Sequence, residues 1–328
     1  MRAWRVHEFG EPADVLVLED LEAPEPGPGE VAIDVAAASL NFPDVLLCRG
    51  QYQVKPPLPF TPGAEVAGTV RAVGEGVDAS WIGRRVLGIP SFGPGGLAEQ
   101  TTAAVGGIHE IPESMGWSAA ASLFVTYQTG HVALHRRAHI QPGETLLVHA
   151  GAGGVGSAAI QLGLAAGARV FATAGGPEKV EVCRKLGAEV VIDYRAEDFV
   201  DAIKAATGGR GADVIYDPVG GDTFDRSRKC IAFEGRILII GFTSGRMADA
   251  PTNHALIKNY SVVGVHWGLY GLMNPQVITD THADLMRLFD AGAIDPLVSQ
   301  ELDLEEVPQA LERLATRGTW GKVVARMR

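Results

Sequence analysis

Between residues 145 and 265 the chain alternates short apolar runs with helix-compatible stretches. Strands are predicted at Thr145–His149, Arg169–Thr173, Val190–Asp193, Asp213–Asp217, Arg236–Gly241 and Ser261–Val265. Helical patterns lie between them, at about 155–166, 177–186, 197–206, 222–230 and 252–258. A strand covered on both faces loses the polar half of its alternation, so six apolar strands separated by helices predict a doubly wound parallel sheet of the α/β class. Residues 1 to about 115 read differently. β-rich segments at Ala3–Phe9, Val31–Ala37, Glu65–Val73 and Arg84–Ile89 are broken by APEPGPGE (23–30) and KPPLPFTPG (55–63). Proline there belongs to connections and strand edges, which predicts an irregular antiparallel domain. Ser118–His135 is Ala-rich and helix-compatible, with Ser118 as its expected N-cap. After residue 268, helices around Asn274–Ala291 and Leu304–Thr316 lead to a strand at Lys322–Arg326. A six-stranded sheet that is already complete has no place for this tail. The expected organisation is therefore a first domain of residues 1–120 completed by 266–328, with the α/β domain, 121–265, inserted.

Composition narrows the function. Hydrophobic residues are 46% and charged residues 20% of 328, which excludes a disordered chain or a fibre. The formal net charge of −11 disfavours nucleic acid, because no basic run exists to release counterions from a phosphate backbone. No apolar run approaches the length of a membrane span, and the first residues lack a signal-peptide core, so no membrane partner is expected. Cys48, Cys183 and Cys230 are odd in number and far apart; neither a disulfide framework nor a cysteine-based zinc site is expected, and a cytoplasmic location fits.

Glycine is the informative excess, 41 residues. The predicted strand TLLVHA runs into GAGGVG (151–156) and then into a helical stretch. This is G-x-G-x-x-G: Gly151 for the tight turn, Gly153 for backbone approach to a pyrophosphate, Gly156 for close helix–strand packing. The helix N-terminus offers unpaired N–H groups and a positive dipole end to phosphate. The strand–turn–helix context supports a Rossmann dinucleotide site. NAD enzymes place an acid at the end of the next strand, about 20 residues on, to hold the ribose 2′-OH. Here that strand ends Thr173, Ala174, Gly175, Gly176, and Lys179 follows, so NADPH is expected over NADH.

These and further segments identify a resemblance. SLNFPDVLLCRGQY (39–52), PFTPGAEVAGTV (59–70), GETLLVHAGAGGVGSAAIQL (143–162), KLGAEVVIDYR (185–195), DVIYDPVGG (213–221) and GKVV (321–324) resemble the quinone oxidoreductase (zeta-crystallin-like) branch of the medium-chain dehydrogenase/reductase superfamily. The likeness runs along nearly the whole chain; Leu164 replaces the family's usual basic or serine residue. It implies a GroES-like catalytic domain beside the Rossmann domain. It also implies cofactor contacts at Asn41, Tyr52, Thr126, Ala152, Gly153, Gly154, Val155, Gly175, Lys179 and Tyr194, and at Gly220, Gly241, Phe242, Thr243 and Trp267. Tyr194 would flank the 2′-phosphate beside Lys179. In relatives an edge strand near YSVVGV (260–265) pairs across a two-fold axis, so a homodimer is expected.

The residues missing relative to the superfamily's zinc alcohol dehydrogenases point to the chemistry. Asn41 stands where those enzymes have a Cys, and Ala64 where they have a His; no cluster of four cysteines is present. A catalytic zinc needs three protein ligands, so no metal is expected. A reaction that manages without a Lewis acid is hydride delivery to an electron-poor acceptor, a quinone first and an activated alkene (enal, enone or enoyl thioester) second. A protein that binds NADPH without catalysis is the remaining alternative. Tyr52, a phenol protonated at neutral pH, is the candidate to orient the acceptor or donate a proton, and a purely packing role is equally open to it. Tyr127, Phe92, Trp267 and Tyr270 together are a candidate aromatic wall for a flat acceptor.

Overall fold

β1 (Arg2–Val6) and β2 (Leu16–Asp20) pair antiparallel, joined by one turn of helix, α1 (Pro12–Val15), whose proline sits where its missing N–H costs nothing. The computed structural model describes residues 1–327. A long strand, β3 (Glu30–Ser39), runs into α2 (Phe42–Cys48) and is followed by β4 (Val66–Val73), β5 (Arg85–Gly88), β6 (Gln100–Ala104) and β7 (Ile108–Glu110). α3 (Trp117–His131) continues as a wider π-helical turn to Arg137. Ser118 is inside its first turn and is not its cap; the hydroxyl donates instead to Glu301 Oε1 at 2.5 Å.

Six parallel strands follow: β8 (Thr145–Val148), β9 (Arg169–Ala174), β10 (Val190–Asp193), β11 (Ala212–Asp217), β12 (Ile231–Ile239) and β13 (Ser261–Gly264). The helices between them are α4 (Gly154–Ala165), α5 (Pro177–Lys185), α6 (Phe199–Ala206), α7 (Gly221–Ser227) and α8 (Thr252–Lys258). Strand order is β10-β9-β8-β11-β12-β13, the doubly wound arrangement expected from the alternation. Every residue of β8 is buried, as a strand covered on both faces requires. Leu147, Phe171, Ile215 and Ile237 fill the centre of this core. Full burial of a side chain such as Phe171 contributes roughly 1.5–3 kcal/mol.

α9 (Tyr270–Met273) and α10 (Pro275–Asp290) come next, then β14 (Val298–Asp303), α11 (Val307–Ala315) and β15 (Lys322–Arg326). β15 pairs antiparallel with β3 and parallel with β14, giving the sheet order β14-β15-β3-β4-β5-β7, with β6 also on β3. The chain forms two compact units, residues 1–125 with 296–328, and residues 126–295. The return to the first unit therefore begins at residue 296, thirty residues later than the expected 266. α10 is amphipathic and buries Val277, Ile278 and Leu285 in the second unit, where Gln128 Nε2 donates to the Ile278 carbonyl at 2.9 Å. Gln161 exchanges two hydrogen bonds with the Asp295 backbone, at 2.9 and 2.6 Å. In the first unit the returning segment packs Leu304, Val307 and Leu311 against Val15 and Leu47, and Trp4 Nε1 donates to the Leu304 carbonyl. Among the described residues no helix is long and apolar enough to cross a membrane.

Candidate functional site

In the second unit the strand order reverses between β8 and β11, and doubly wound sheets bind their ligands beyond the C-terminal strand ends at such a switch point. GAGGVG follows β8. Gly153 is the N-cap of α4, with no side chain capping it, so the first N–H groups of that helix remain for a ligand. The glycines share the work differently from the expectation. The left-handed residue of the turn is Ala150, at φ +50°, not Gly151. A Cβ at Gly151 would lie 2.9 Å from Ala172 Cβ and from Cys183 Sγ, so Gly151 serves the packing of helix on strand. A Cβ at Gly156 would overlap the Ala150 carbonyl oxygen and approach Gly151 Cα to 2.9 Å, so Gly156 closes the turn. A Cβ at Gly153 would meet only the Ala150 oxygen, at 3.3 Å. That cradle fits a dinucleotide pyrophosphate, because its surface is backbone and any side chain would fill it.

Most of the other expected cofactor residues of this unit follow the C-terminal ends of its strands, whereas Thr126 lies on α3. Ala152 belongs to the turn itself, and Gly154 and Val155 open α4. After β11, Asp217 Oδ1 accepts the N–H groups of Val219 and Gly220, at 2.8 and 2.9 Å, and holds Gly220 at φ +68°. After β12, Gly241 lies against Pro218, Phe242 against Gly220, and Thr243 donates through N and Oγ1 to the Pro218 carbonyl. Gly175 directly follows β9 beside Tyr194, and Lys179 lies half-buried on α5. Thr126 and Trp267 are buried, the latter with Nε1 on Gln128 Oε1. Tyr127 does not line a surface: it is 1% exposed and its hydroxyl donates to the Asp295 carbonyl.

The first unit holds a separate polar cluster that sequence reasoning missed. Glu65 and Lys322 form an ion pair at 2.8 Å, with side chains 0% and 4% exposed. Lys322 Nζ also donates to Asn41 Oδ1 at 2.7 Å and to the Leu40 carbonyl at 3.2 Å. Asn41 Nδ2 donates to Glu65 Oε1 and to the Ser39 carbonyl, and Glu65 Oε2 accepts the Val125 N–H. The Asn41 amide is thus occupied on both its nitrogen and its oxygen. Next to it Asp44, fully buried, accepts the N–H groups of Asn41 and Gly63. Burial pushes its carboxyl up to about 7 despite those two donors. Tyr52 packs on the neighbouring apolar core; burial first, and the nearby Asp44 second, hold its phenol above the ordinary value and so protonated.

The comparisons agree with this architecture. Residues 27–113 match the alcohol dehydrogenase GroES-like domain, and 154–286 match the zinc-binding dehydrogenase family. A quinone oxidoreductase-like protein 2 homolog of Nematostella vectensis is 38% identical over 98% of this chain and 88% of its own length. Escherichia coli quinone oxidoreductase, solved in complex with NADPH, superposes with a TM-score of 0.92 at 30% identity, covering 100% of both chains. CurK enoyl reductase superposes with a TM-score of 0.88 at 30% identity, covering 100% of this chain and 99% of its own. The zinc in one family's description does not fit the donors present. Asn41 Oδ1 already accepts from an ammonium group, Ala64 offers no donor atom, and among the described residues no three His, Cys, Asp or Glu side chains are grouped to hold a metal ion.

Proposed function

Because this chain belongs to the quinone oxidoreductase branch of the medium-chain dehydrogenase/reductase superfamily, we propose that it passes a hydride from NADPH to quinones without zinc. The observation that carries the reading is the Lys322–Asn41–Glu65 cluster, where zinc-type members of the superfamily have a thiolate ligand. A chain with a closed amide–ammonium–carboxylate network there has no Lewis acid to generate an alkoxide, and its acceptor must already be polarised. NADPH supplies the hydride when bound. The chain's own part is to receive the pyrophosphate on Ala152–Val155 and the 2′-phosphate beside Gly175, Lys179 and Tyr194. Asn41, Tyr52, Thr126, Gly220, Gly241, Phe242, Thr243 and Trp267 complete the proposed contacts. Tyr52 is the residue proposed to orient the acceptor or deliver the second proton. The likeness to an enoyl reductase favours a second reading, reduction of activated alkenes.

A panel of quinones, enones and an enoyl thioester, each assayed for acceptor-dependent NADPH oxidation, tests both readings. Quinones are expected to give the highest kcat/KM; an enoyl thioester ahead of every quinone would reverse the order, and no acceleration by any acceptor would end both. Tyr52→Phe, which keeps the ring and removes only the hydroxyl, is expected to lower kcat by a larger factor than it weakens NADPH binding. Three buried, free cysteines accord with a reducing compartment, and the cytoplasm is where this reading sets the reaction.

We further read the protein as a homodimer joined along β13. That strand ends its sheet, Val262 on it is 37% exposed, and Leu256 and Ile257 on α8 are 77% and 76% exposed. An apolar edge with unpaired backbone groups is an aggregation hazard unless a partner covers it. Light scattering is expected to give the mass of two chains, and Val262→Lys that of one.

A further inference from the structure

We propose that Arg195 is a cofactor-selecting residue whose guanidinium grips the 2′-phosphate of NADPH, a role that builds on the NADPH reading above. The tip of β9 is closed by Gly175 and Gly176, where an NAD enzyme presents its acid. A Cβ at Gly175 would collide with the Tyr194 hydroxyl and lie 3.1 Å from Arg195 Nε; one at Gly176 would lie 3.3 Å from Arg195 Nη1. The space above both glycines is therefore filled by the two residues that follow β10, and the guanidinium spreads across the strand tip. Its placement is set by Asp193, whose Oδ1 accepts both the Gly176 and the Arg195 N–H at 3.0 Å. Those two donors, with the Arg195 charge behind them, hold the Asp193 carboxyl below its usual range and turn one of its oxygens toward backbone.

The second observation is that this guanidinium is locked in no close ion pair. Arg169 pairs with Glu189, Arg184 with Glu181, Arg226 with Asp198, and Arg246 with Asp222 and Asp225. Arg195 makes no such ion pair among the described residues; its charge acts on the Asp193 carboxyl without a close contact, and it is exposed. A planar fork of donors beside a backbone platform without side chains, at the N-terminus of α5, suits a phosphate dianion better than a hydroxyl. The sequence had pointed to Lys179 and Tyr194 for this task and passed over the residue next to Tyr194.

The test is calorimetric titration of wild type, Arg195→Gln and Arg195→Lys with NADPH, NADH and adenosine 2′,5′-bisphosphate, with thermal melts as the control for folding. Arg195→Gln is expected to lose about ten- to a hundredfold in affinity for NADPH and for the bisphosphate, and none for NADH. Arg195→Lys is expected to recover part of the loss, and added salt to narrow the gap between wild type and Arg195→Gln. Wild-type NADPH affinity in a folded Arg195→Gln variant would overturn the role of Arg195 alone. A wild-type protein that binds NADH as tightly as NADPH would overturn the cofactor reading and this proposal together.

Discussion

Replacing Lys322 with methionine is expected to destabilise the protein by about 3–5 kcal/mol, although the substitution retains most of the side chain's apolar volume. Glu65, 0% exposed, would lose the ammonium 2.8 Å away, leaving the Asn41 Nδ2 and Val125 N–H donors as its partners. Asn41 Oδ1 and the Leu40 carbonyl would each lose a donor as well. Coulomb attraction in a poorly solvated site is strong, but it serves chiefly to offset the cost of having buried both ions. Removing one ion leaves that cost uncompensated. Urea unfolding should show the midpoint falling with an unchanged m-value. The double variant Glu65→Gln/Lys322→Met should recover part of the loss, since no bare charge remains. A single-variant loss below about 1 kcal/mol would show that water reaches Glu65 and that the pair matters little.

Gly156→Ala is expected to weaken NADPH binding at least thirtyfold, about 2 kcal/mol, and to lower thermal stability. The added methyl would overlap the Ala150 carbonyl oxygen, and its next neighbours, Ala150 C and Gly151 Cα at 2.9 Å, are also backbone. No flexible side chain is available to give way, so the phosphate turn itself must move. Gly153→Ala supplies the contrast. Its methyl would meet only one oxygen, at 3.3 Å, so the melting temperature should barely change while the methyl intrudes where the pyrophosphate approaches. Paired melts and fluorescence titrations of the two variants separate these effects. Wild-type NADPH affinity in Gly156→Ala would mean that the turn does not form the phosphate cradle.

The parts that could be read along the chain are those whose cause is local. Six short, largely apolar runs such as TLLV and VVID are set apart by helix-compatible stretches, and all six appear as parallel strands. GAGGVG announces a turn because few other residues pack so near backbone. Missed elements have mixed signals. β14, VSQELD, is half-exposed at a sheet edge, and α2, FPDVLLC, is only seven residues long. The end of the inserted unit was misjudged because α10 carries no mark of which core its apolar face joins.

Local pattern alone therefore determined the alternation of strands and helices, the dinucleotide turn and the absence of an acid at the tip of the next strand. Only the tertiary structure brought Glu65 within 2.8 Å of Lys322 across 257 positions of sequence and placed the guanidinium of Arg195 over Gly175. It also gave the left-handed conformation to Ala150 in place of its glycine neighbour. Hydrophobic periodicity and turn chemistry act over a few residues and leave a trace in order and composition. Pairing between distant charges, and the direction of a side chain beyond its Cβ, depend on how strands from opposite ends of the chain meet, and no short window of sequence records that.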